Sequence, residues 1–530
     1  MNITRRQLFS AAFGAAQVAL LSRYGLSPQR ARAATTGPSK LLAIYVDGGL
    51  HWETFFAPLT RAGIAKFIPA PTGGYYPWGY NTNQVENFDR SAVDLDAPGP
   101  VRKLRGPIYW NWNMPGDSDG LNPVSGNTQN FRPYGYIWAN PKYRLFDKAA
   151  LLVGADQGTA AHESGRIASL CGVAGASFRA PAVQAVVASY VASQFPDRPI
   201  PNVCLGGPLP RALNLATNFE PSTLTGPASI EPMMSDRSDA AWSGLRKRTT
   251  IPDVALDGSA GAGTVPTTLV DQCLLEAARA DRGKSSSGND ALVGQLYDGY
   301  KGFSRIISRD IVGKLGTTKG FEHLPAMDAA YPANHVSCAG RADACYTADT
   351  MGPFDFAVQL LKSDLVTSVS LRATSIGGFT FDTHSALGPQ NHTSHLRIAM
   401  EQIGRTIVEL SLTPSSSGGG RTLLDDTVVW VFSDFGRTFP KQGSDHHPAT
   451  CMLLAGNGIL GNQMIGGYDE SMNGSPLGSA APVVEETGQR ATRTLHAQDF
   501  AATVLRSFGM QPGKDFFIPG GYGVIDGVFR

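Results

Sequence analysis

Beyond its first 33 residues the sequence lacks any apolar run that approaches the about 18 residues of a membrane-spanning helix. It also lacks a cluster of lysine and arginine, and no internal repeat is evident. These absences argue against a membrane span in the mature chain, against nucleic acid as a partner, and against a solenoid fold. What remains is a large globular protein.

The first 33 residues have the features of a twin-arginine leader. Thr4–Phe9 reads TRRQLF, the apolar stretch up to about Leu21 is too short to span a bilayer, and Ala31–Ala33 is an A-x-A cleavage site. The leader holds five of the 45 basic residues and none of the 44 acidic ones, so the mature chain has a formal charge of −4. We therefore expect a soluble periplasmic or secreted protein that the twin-arginine export machinery carries already folded.

Length and composition limit the number of domains and the cysteine chemistry. The 530 residues fit one large α/β domain with insertions or two domains, and 60 glycines and 35 prolines indicate long loops. In an oxidising compartment, Cys338 and Cys345 are the best local pair for a disulfide. Cys171, Cys273 and Cys451 lie in apolar surroundings, which favours free cysteines in the core.

Two apolar runs end at a carboxylate followed by glycine. Val428–Phe432 is followed by Ser433-Asp434-Phe435-Gly436, and Leu41–Val46 by Asp47-Gly48-Gly49. A β-branched apolar run of this length is typical of a strand that is buried on both faces. Because open α/β sheets bind ligands at the carboxyl ends of their strands, Asp47 and Asp434 are candidate ligand-binding residues.

Further elements predict an α/β fold with a parallel or mostly parallel sheet and helices on both faces. Leu396, Met400, Ile403, Ile407 and Leu410 recur at the spacing of an amphipathic helix. Further strands are predicted at Ala149–Val153, Val366–Leu371 and Cys451–Ala455, and further helices from about His162 to Gly172, 180–194, 270–280, 291–311, 354–362 and 497–508.

The chain order divides the predicted core into two parts. Residues 34–205 hold the first part, interrupted at 56–145 by a loop insertion rich in aromatic residues, glycine and proline. Residues 206–350 form an insertion or cap region, and residues 351–530 hold the second part with most of the candidate ligands.

Acid and histidine pairs follow the strands of the second part. Asp382 and His384 are two residues apart, so in an extended segment their side chains point to one face and can hold one cation. Asp445 and His447 have the same spacing, and His446 points the other way. One such pair alone is more often an ordinary loop feature. Four acid or acid/histidine clusters after strands, however, predict a metal site.

The sequence also resembles a known family. GGFTFDTHS, VVWVFSDFGRT, SDHHP, LLAGNGILGNQMIGGYD and LHAQDFAATVLRSFGM, in this order behind a twin-arginine leader, are similar to motifs of the exported bacterial family known as domain of unknown function 1501. The similarity is strong over residues 351–515 and fair over 41–53 and 149–205. The family usually has glutamate in its S-E-F-G-R-T motif, where this chain has Asp434.

This family is placed in the alkaline phosphatase and sulfatase clan, so the resemblance implies a fold and a ligand set. The fold would be a three-layer α/β/α sandwich with a mostly parallel central sheet and long loop insertions. One or more divalent metal ions (Zn, Ca, Mn or Mg) would bind a phosphate or sulfate ester. The implied ligands are Asp47, Asp382, His384, Asp434 and either His446 or His447. Phe435 stands where the clan has histidine or asparagine, so one ligand comes from elsewhere or is missing.

The same resemblance leaves the nucleophile open. HESGRIASLCG resembles the sulfatase segment C-x-P-S-R, with Arg166 at the arginine and His162 in the nucleophile's place. The sequence has no C-x-P-x-R or S-x-P-x-R motif, which argues against formylglycine chemistry. The candidate attacking groups are Ser164 and Thr159, whose alternative role is to cap a helix, and a metal-bound water. His162 is either a metal ligand or a buried structural histidine.

Two functions are compatible with these residues. Arg166 and Arg437 are candidates to bind an anionic ester, because guanidinium presents a planar fork to such oxygens, although arginines often pair only with a carboxylate. The first function is an exported metal-dependent hydrolase of phosphate or related esters, acting on a small-molecule or polymer-borne substrate. The alternative is a non-catalytic exported metal-binding protein of the same fold that binds a cell-surface polymer or a partner protein.

Overall fold

The structure is a computed structural model of the chain. It describes residues 37–70, 80–83, 85–87, 91, 93–108, 136–173, 182–192, 194–195, 198, 200–205, 222–224, 315, 318–324, 348–373, 382, 384, 388–443, 445–518 and 520–530. The predicted helices at 270–280 and 291–311, and the predicted pair Cys338–Cys345, lie outside these residues.

Most of the strands belong to one large sheet. In chain order the strands are β1 (Lys40–Val46), β2 (Val85–Glu86), β3 (Val101–Arg102), β4 (Gly106–Pro107), β5 (Ala149–Asp156), β6 (Ile200–Leu205), β7 (Ser222–Leu224), β8 (Val366–Ala373), β9 (Thr427–Ser433), β10 (Gly436–Arg437), β11 (His446–His447), β12 (Ala449–Gly456), β13 (Gln463–Gly466), β14 (Ala480–Glu485), β15 (Arg490–Thr494) and β16 (Gly523–Ile525). Nine of them form the sheet in the order β3-β13-β5-β12-β9-β1-β8-β6-β7. The predicted strands are therefore confirmed, and β1 lies near the middle of the sheet.

The sheet is mixed but mostly parallel. All its strands run in one direction except β3 and β12. The segment 434–448, which joins β9 to β12, contains the short strands β10 and β11 and a 3-10 turn, Pro440–Gln442, but no crossover helix among its described residues. Because a parallel neighbour needs a long crossover, the chain returns antiparallel here. A separate antiparallel sheet has the order β15-β14-β16.

Helices cover both faces of the large sheet. They are α1 (Trp52–Phe55), α2 (Arg61–Phe67), α3 (Tyr136–Ala139), α4 (His162–Cys171), α5 (Val183–Ala192), α6 (Ala348–Lys362), α7 (Gly388–Leu412) and α8 (Ala497–Ser507), with further 3-10 turns at Leu145–Lys148 and Leu423–Asp426. Alternate residues of β1 belong to different cores: Ile44 packs with α6 and α7, whereas Ala43 packs with α4, α5 and α8. The chain is therefore an α/β protein with apolar cores on both sides of its sheet.

The remaining predictions for this part of the chain have mixed outcomes. The insertion at 56–145 contains more regular structure than predicted, because α2 and β3 lie within it and β3 extends the sheet at its edge beside β13. Cys171 and Cys451 are buried and free, as predicted, and Cys204 is buried as well. Among the described residues, no helix is both long and apolar enough to cross a membrane.

Asp364, in the turn between α6 and β8, pairs with two buried cations, Lys40 and Arg198. Asp364 Oδ1 lies 2.8 Å from Lys40 Nζ at the start of β1 and accepts a hydrogen bond from Arg198 Nε at 3.0 Å. Burial lowers the pKa of the Lys40 amine. Burial alone would raise the pKa of the Asp364 carboxyl, but the two cations outweigh it and hold this pKa below its ordinary value. Asp364 therefore stabilises the fold above its unfolded-state pKa, and this stabilisation is lost as the pH falls.

We expect Asp364→Asn to lower the free energy of unfolding by about 1–3 kcal/mol, since buried Lys40 loses its counter-charge and Asp364 is partly exposed. Asp364 has a left-handed φ of 57°, which asparagine also adopts, so the substitution changes charge and leaves the backbone unstrained. Asp96→Asn, which removes an exposed ion pair with Arg61, is the control and should have a much smaller effect. Urea unfolding at pH 7 measures both, and equal effects would contradict the prediction.

Candidate metal and anion site

The carboxyl ends of β1 and β9 bring Asp47 and Asp434 together. The two strands are parallel neighbours, with Val46 opposite Ser433, so the acids that follow them lie side by side. Asp434 is fully buried, and its Oδ1 accepts hydrogen bonds from the Gly49 amide at 2.7 Å and from Ser433 Oγ at 2.9 Å. These bonds join the loop after β1 to the end of β9.

Helix α4 places His162 next to the other carboxylate oxygen of Asp434. His162 Nδ1 lies 2.5 Å from Asp434 Oδ2, and this contact is the main reason that the pKa of the imidazole is raised. The helix can approach so closely because residue 165 is glycine: a Cβ there would lie 2.4 Å from the Asp434 carbonyl oxygen. Ser169 Oγ, further along α4, donates to the Ser433 carbonyl at 2.6 Å.

Asp382 is the meeting point of three histidines and an arginine. Its Oδ1 lies 2.8 Å from His384 Nε2, 3.0 Å from His446 Nε2 and 2.6 Å from Arg437 Nη2. Its Oδ2 lies 3.2 Å from His162 Nε2. Burial would raise the pKa of the Asp382 carboxyl, but the hydrogen bonds from His446 and Arg437 lower it well below its ordinary range. The carboxylate is therefore ionised at neutral pH.

The short β10–β11 pair places His446 in this cluster. Arg437 pairs with His446 across the two strands, so both side chains reach Asp382 from the folded-back segment. His446 Nδ1 lies 2.8 Å from the Ala160 carbonyl oxygen, which only accepts hydrogen bonds, so Nδ1 carries the proton. With Nδ1 protonated, His446 Nε2 donates to the Asp382 carboxylate only if the ring carries a second proton, and otherwise it directs a lone pair at this carboxylate. A bound proton or a cation has to lie at this nitrogen to avoid repulsion.

Asp47, in contrast, is surrounded by hydroxyl and guanidinium groups. Its Oδ1 accepts from Tyr45 Oη at 2.9 Å and from Arg166 Nη2 at 3.2 Å, and its Oδ2 contacts Arg372 Nη2. Burial raises the pKa of the Tyr45 phenol well above its ordinary value, and the nearby carboxylates add to this effect, so Tyr45 is a neutral donor. Both oxygens of Asp47 are thus already engaged.

Within the part of the chain that the structure describes, two sets of possible ligand atoms have all their members within 4.8 Å of one another: His162, Asp382 and His446, and Asp47, His162 and Asp434. The first set presents two imidazole nitrogens and a carboxylate, the donors that Zn and similar ions prefer. The second set fits a cation less well, because two guanidinium groups already contact Asp47. In the first set Asp434 fixes the His162 ring from behind, as carboxylates do for metal-binding histidines.

His447 and Asp445, also predicted as ligands, lie apart from this set. His447 donates from Nε2 to the Ser475 carbonyl at 3.2 Å and accepts from the Ala449 amide at Nδ1, also at 3.2 Å. Burial lowers the pKa of the His447 ring, in agreement with a neutral structural histidine. Asp445 is 78% exposed; its Oδ1 accepts a hydrogen bond from the His446 amide at 2.8 Å and lies 3.5 Å from His384 Nδ1. Between the two late histidines, the geometry favours His446.

The predicted nucleophiles, Ser164 and Thr159, hydrogen-bond to each other. Their hydroxyl oxygens are 2.7 Å apart at the start of α4. Thr159 Oγ1 also accepts from the Ala161 amide at 3.1 Å, and Ser164 Oγ donates to the Ala161 carbonyl at 3.3 Å. The helix begins after Ala161 with no side-chain cap, so neither hydroxyl occupies its N-cap position. Each hydroxyl thus makes one hydrogen bond to the backbone and one to the other hydroxyl.

The two predicted ester-binding arginines differ in their surroundings. Arg437 is buried and occupied by Asp382 and by the carbonyls of Gly48 and Gly49, and burial lowers the pKa of its guanidinium. It therefore holds the loop after β1 and is not free to bind an ester. Arg166 is partly exposed, and although burial would lower its pKa, the acidic groups around it raise that pKa. Arg166 remains charged and accessible.

Two contributors to the site are not among the sequence predictions. Arg372 is the penultimate residue of β8 and lies opposite Tyr45 of β1; an arginine near the end of a largely buried strand is the signal that could have identified it. Phe435 is buried, with its ring centroid 4.8 Å from that of His162 and 4.2 Å from that of His446. A Cβ at Gly49, where φ is +82°, would lie 2.6 Å from this ring. Phe435 thus supports the two imidazoles and requires glycine opposite.

We expect Gly165→Ala to lower the free energy of unfolding by about 1–3 kcal/mol, because the new methyl group would lie 2.4 Å from the Asp434 carbonyl oxygen. The sign of the change in unfolding free energy is informative, because replacing glycine by alanine within a helix normally stabilises a protein by about 1 kcal/mol. Gly474→Ala, at a position with no atom within 4 Å of the added Cβ, serves as the control. Denaturant unfolding followed by circular dichroism gives the comparison, and a stabilised Gly165→Ala variant would refute the close packing of α4 on β9.

Comparison with known proteins gives one match. A family described as "Protein of unknown function (DUF1501)" matches residues 331–523, which include Asp382, His384 and His446 but neither Asp47 nor His162. A search of curated proteins and a search of solved structures each found no match. The resemblance inferred from the motifs is thus confirmed for this part of the chain: residues 331–523 belong to the DUF1501 family.

Proposed function

We propose that the protein is a metal-dependent hydrolase of phosphate or related esters, with an alkaline-phosphatase-like three-layer core, and that the twin-arginine route exports it. The single observation that carries the proposal is the convergence of His162 and His446 on Asp382 from distant parts of the chain. Such a set suits a divalent ion, and its position beyond the carboxyl ends of parallel strands is where α/β sheets bind ligands.

The hydrogen bonds around the two histidines support a metal ion more than a purely structural cluster. His446 Nδ1 donates to the Ala160 carbonyl, and His162 Nδ1 faces Asp434. Both rings therefore have an outer partner at Nδ1 and turn Nε2 towards Asp382, which is how proteins orient metal-binding imidazoles. His384, 2.8 Å from Asp382, is in position to join them.

Other side chains would bind the ester, orient His162 and attack the ester. Arg166 would bind the oxygens of the ester, and Asp434 would hold His162 in one orientation. The hydroxyl of Ser164, or a water molecule in its place, would attack, with Thr159 as its hydrogen-bond partner. When bound, a divalent ion would polarise the ester and lower the pKa of the attacking group.

The alternative is a non-catalytic metal-binding protein of the same fold. It is favoured by His162, which occupies the nucleophile's place in the resemblance to sulfatases, and by Phe435, which fills a ligand position with an apolar ring. The two functions share the metal set and differ in turnover, so one experiment separates them.

We expect the purified protein to contain a divalent metal and to hydrolyse an aryl phosphate, an aryl phosphodiester or an aryl sulfate. Asp382→Asn keeps the shape of the side chain but removes its charge, so metal affinity and turnover should each fall at least about tenfold. Glu163→Gln, which removes an exposed charge next to His162, should retain both. Metal analysis of each purified variant is paired with the three assays.

The outcomes discriminate between the functions. Metal without turnover above the Asp382→Asn background would refute the hydrolase and leave the binding protein. If no metal copurifies with the wild-type protein or binds when added, both functions fail.

Ser164→Ala is expected to reduce kcat at least about 100-fold while metal content stays unchanged, because attack by Ser164 requires its hydroxyl. Thr159→Val, which keeps the size of the side chain and removes the partner hydroxyl, should have a smaller effect. Steady-state kinetics on the best aryl ester measures both. Full activity in Ser164→Ala would assign the attack to water.

A further inference from the structure

We propose that Arg372 is a second anion-binding arginine beside Arg166, and that Asp47 is the positioning residue that holds the two guanidinium groups together. The ligand would be a tetrahedral oxyanion, the phosphate or sulfate group of the ester. The identity of the ester rests on the proposed function, whereas binding of the anion does not require turnover.

The two arginines converge on one carboxylate from different elements. Arg166 comes from α4 and approaches Asp47 Oδ1 at 3.2 Å, and Arg372 comes from β8 and contacts Asp47 Oδ2. Tyr45 adds a neutral hydroxyl at Oδ1. Both oxygens of Asp47 are therefore already bonded to cationic donors, which favours an anion on the outer edges of the two guanidinium groups over a metal cation at Asp47.

Within the described part of the chain, Arg166 and Arg372 each have an unused donor at Nε, a feature that they share with Arg102 and that two fully bonded structural arginines lack. Arg105 and Arg198 are buried, and each donates from all three guanidinium nitrogens to protein acceptors. By contrast, the buried Nε atoms of Arg166 and Arg372 have no hydrogen-bond partner among the described residues. Buried donors of this kind are uncommon and call for a partner.

Both side chains are also partly exposed to solvent. The side chain of Arg166 is 26% exposed and that of Arg372 is 36% exposed. An oxyanion that binds side-on to the Nε and Nη edges would supply the missing acceptors, and guanidinium is suited to such bidentate contacts with tetrahedral oxyanions. Asp47 spaces the two groups so that both can face one anion.

The location fits a reacting group. The ligand atoms of Asp47, His162 and Asp434 lie within 4.8 Å of one another, so an anion on the arginines would be next to the histidine cluster. Asp47, predicted from the resemblance as a metal ligand, is therefore assigned a different role. It acts through Arg166 and Arg372 and need not touch a metal ion.

The test measures binding of inorganic phosphate and of sulfate to the purified full chain by titration calorimetry at constant ionic strength, with acetate as a planar anion for comparison. We expect Arg372→Gln to weaken binding of the preferred tetrahedral anion at least tenfold. Arg372→Lys should recover only part of this loss, because lysine keeps the charge but lacks the fork. Arg490→Gln, which removes an exposed arginine, should bind as the wild type does.

Asp47→Asn separates positioning from metal ligation. We expect its affinity for phosphate or sulfate to fall while its metal content equals that of the wild type, a result that neither a metal ligand nor a merely structural residue would give. Thermal melting establishes whether each variant is folded. If Arg372→Gln does not fold, the anion affinity of Arg372→Lys relative to the wild type tests whether Arg372 binds the anion.

The inference is overturned if the wild type binds neither tetrahedral anion, if acetate binds as tightly as they do, or if the folded Arg372 variant binds like the wild type. Anion binding that depends on Arg372, in a protein that turns over no ester, would sustain the inference and refute the hydrolase. Ester turnover that is unaffected in Arg372→Gln would refute the inference about Arg372 and sustain the hydrolase.

Discussion

The buried carboxylate of Asp434 is the interaction on which the rest of the site depends. It lies at the end of the central strand β9 and uses Oδ1 to hold the Gly49 amide in the loop after β1 and Oδ2 to hold His162 at the start of α4. Without these contacts a buried charge would remain uncompensated, at a cost of several kcal/mol. The carboxylate therefore stabilises the junction of three elements and at the same time sets the position and orientation of an imidazole.

The other two acids of the site have different partners, and the difference divides the site. Asp382 lies among three imidazoles and one guanidinium group, that of Arg437, whereas Asp47 contacts two guanidinium groups and a phenol, with no imidazole bonded to it among the described residues. The imidazoles at Asp382 suit a cation and the guanidinium groups at Asp47 suit an anion, which is the combination that the proposed hydrolase would use. Sequence alone treats the two acids alike, since each is predicted to follow a strand.

The sequence predicted the parts of the site that follow from periodicity and missed those that depend on long-range packing. β1 and β9 are recognisable because runs of buried apolar residues mark them, and the acids after them were identified for the same reason. The choice between His446 and His447 could not be made, because it depends on which residue faces Arg437 across the two-residue pair β10–β11. Arg372 was overlooked because its partner Asp47 is more than 300 residues away in the chain.

Phe435 illustrates how a departure from a family pattern can be read in two ways. As a missing ligand it weakens the case for metal chemistry. In the structure the Phe435 ring packs between Gly49 on one side and His162 and His446 on the other. A polar side chain at this position would lie among groups whose contacts are already made. An apolar ring behind two imidazoles excludes water from one side of the cluster and strengthens their interaction with Asp382, because electrostatic attraction grows as the local dielectric falls. The phenylalanine is thus compatible with a metal set built on Asp382, with Asp434 one layer behind it.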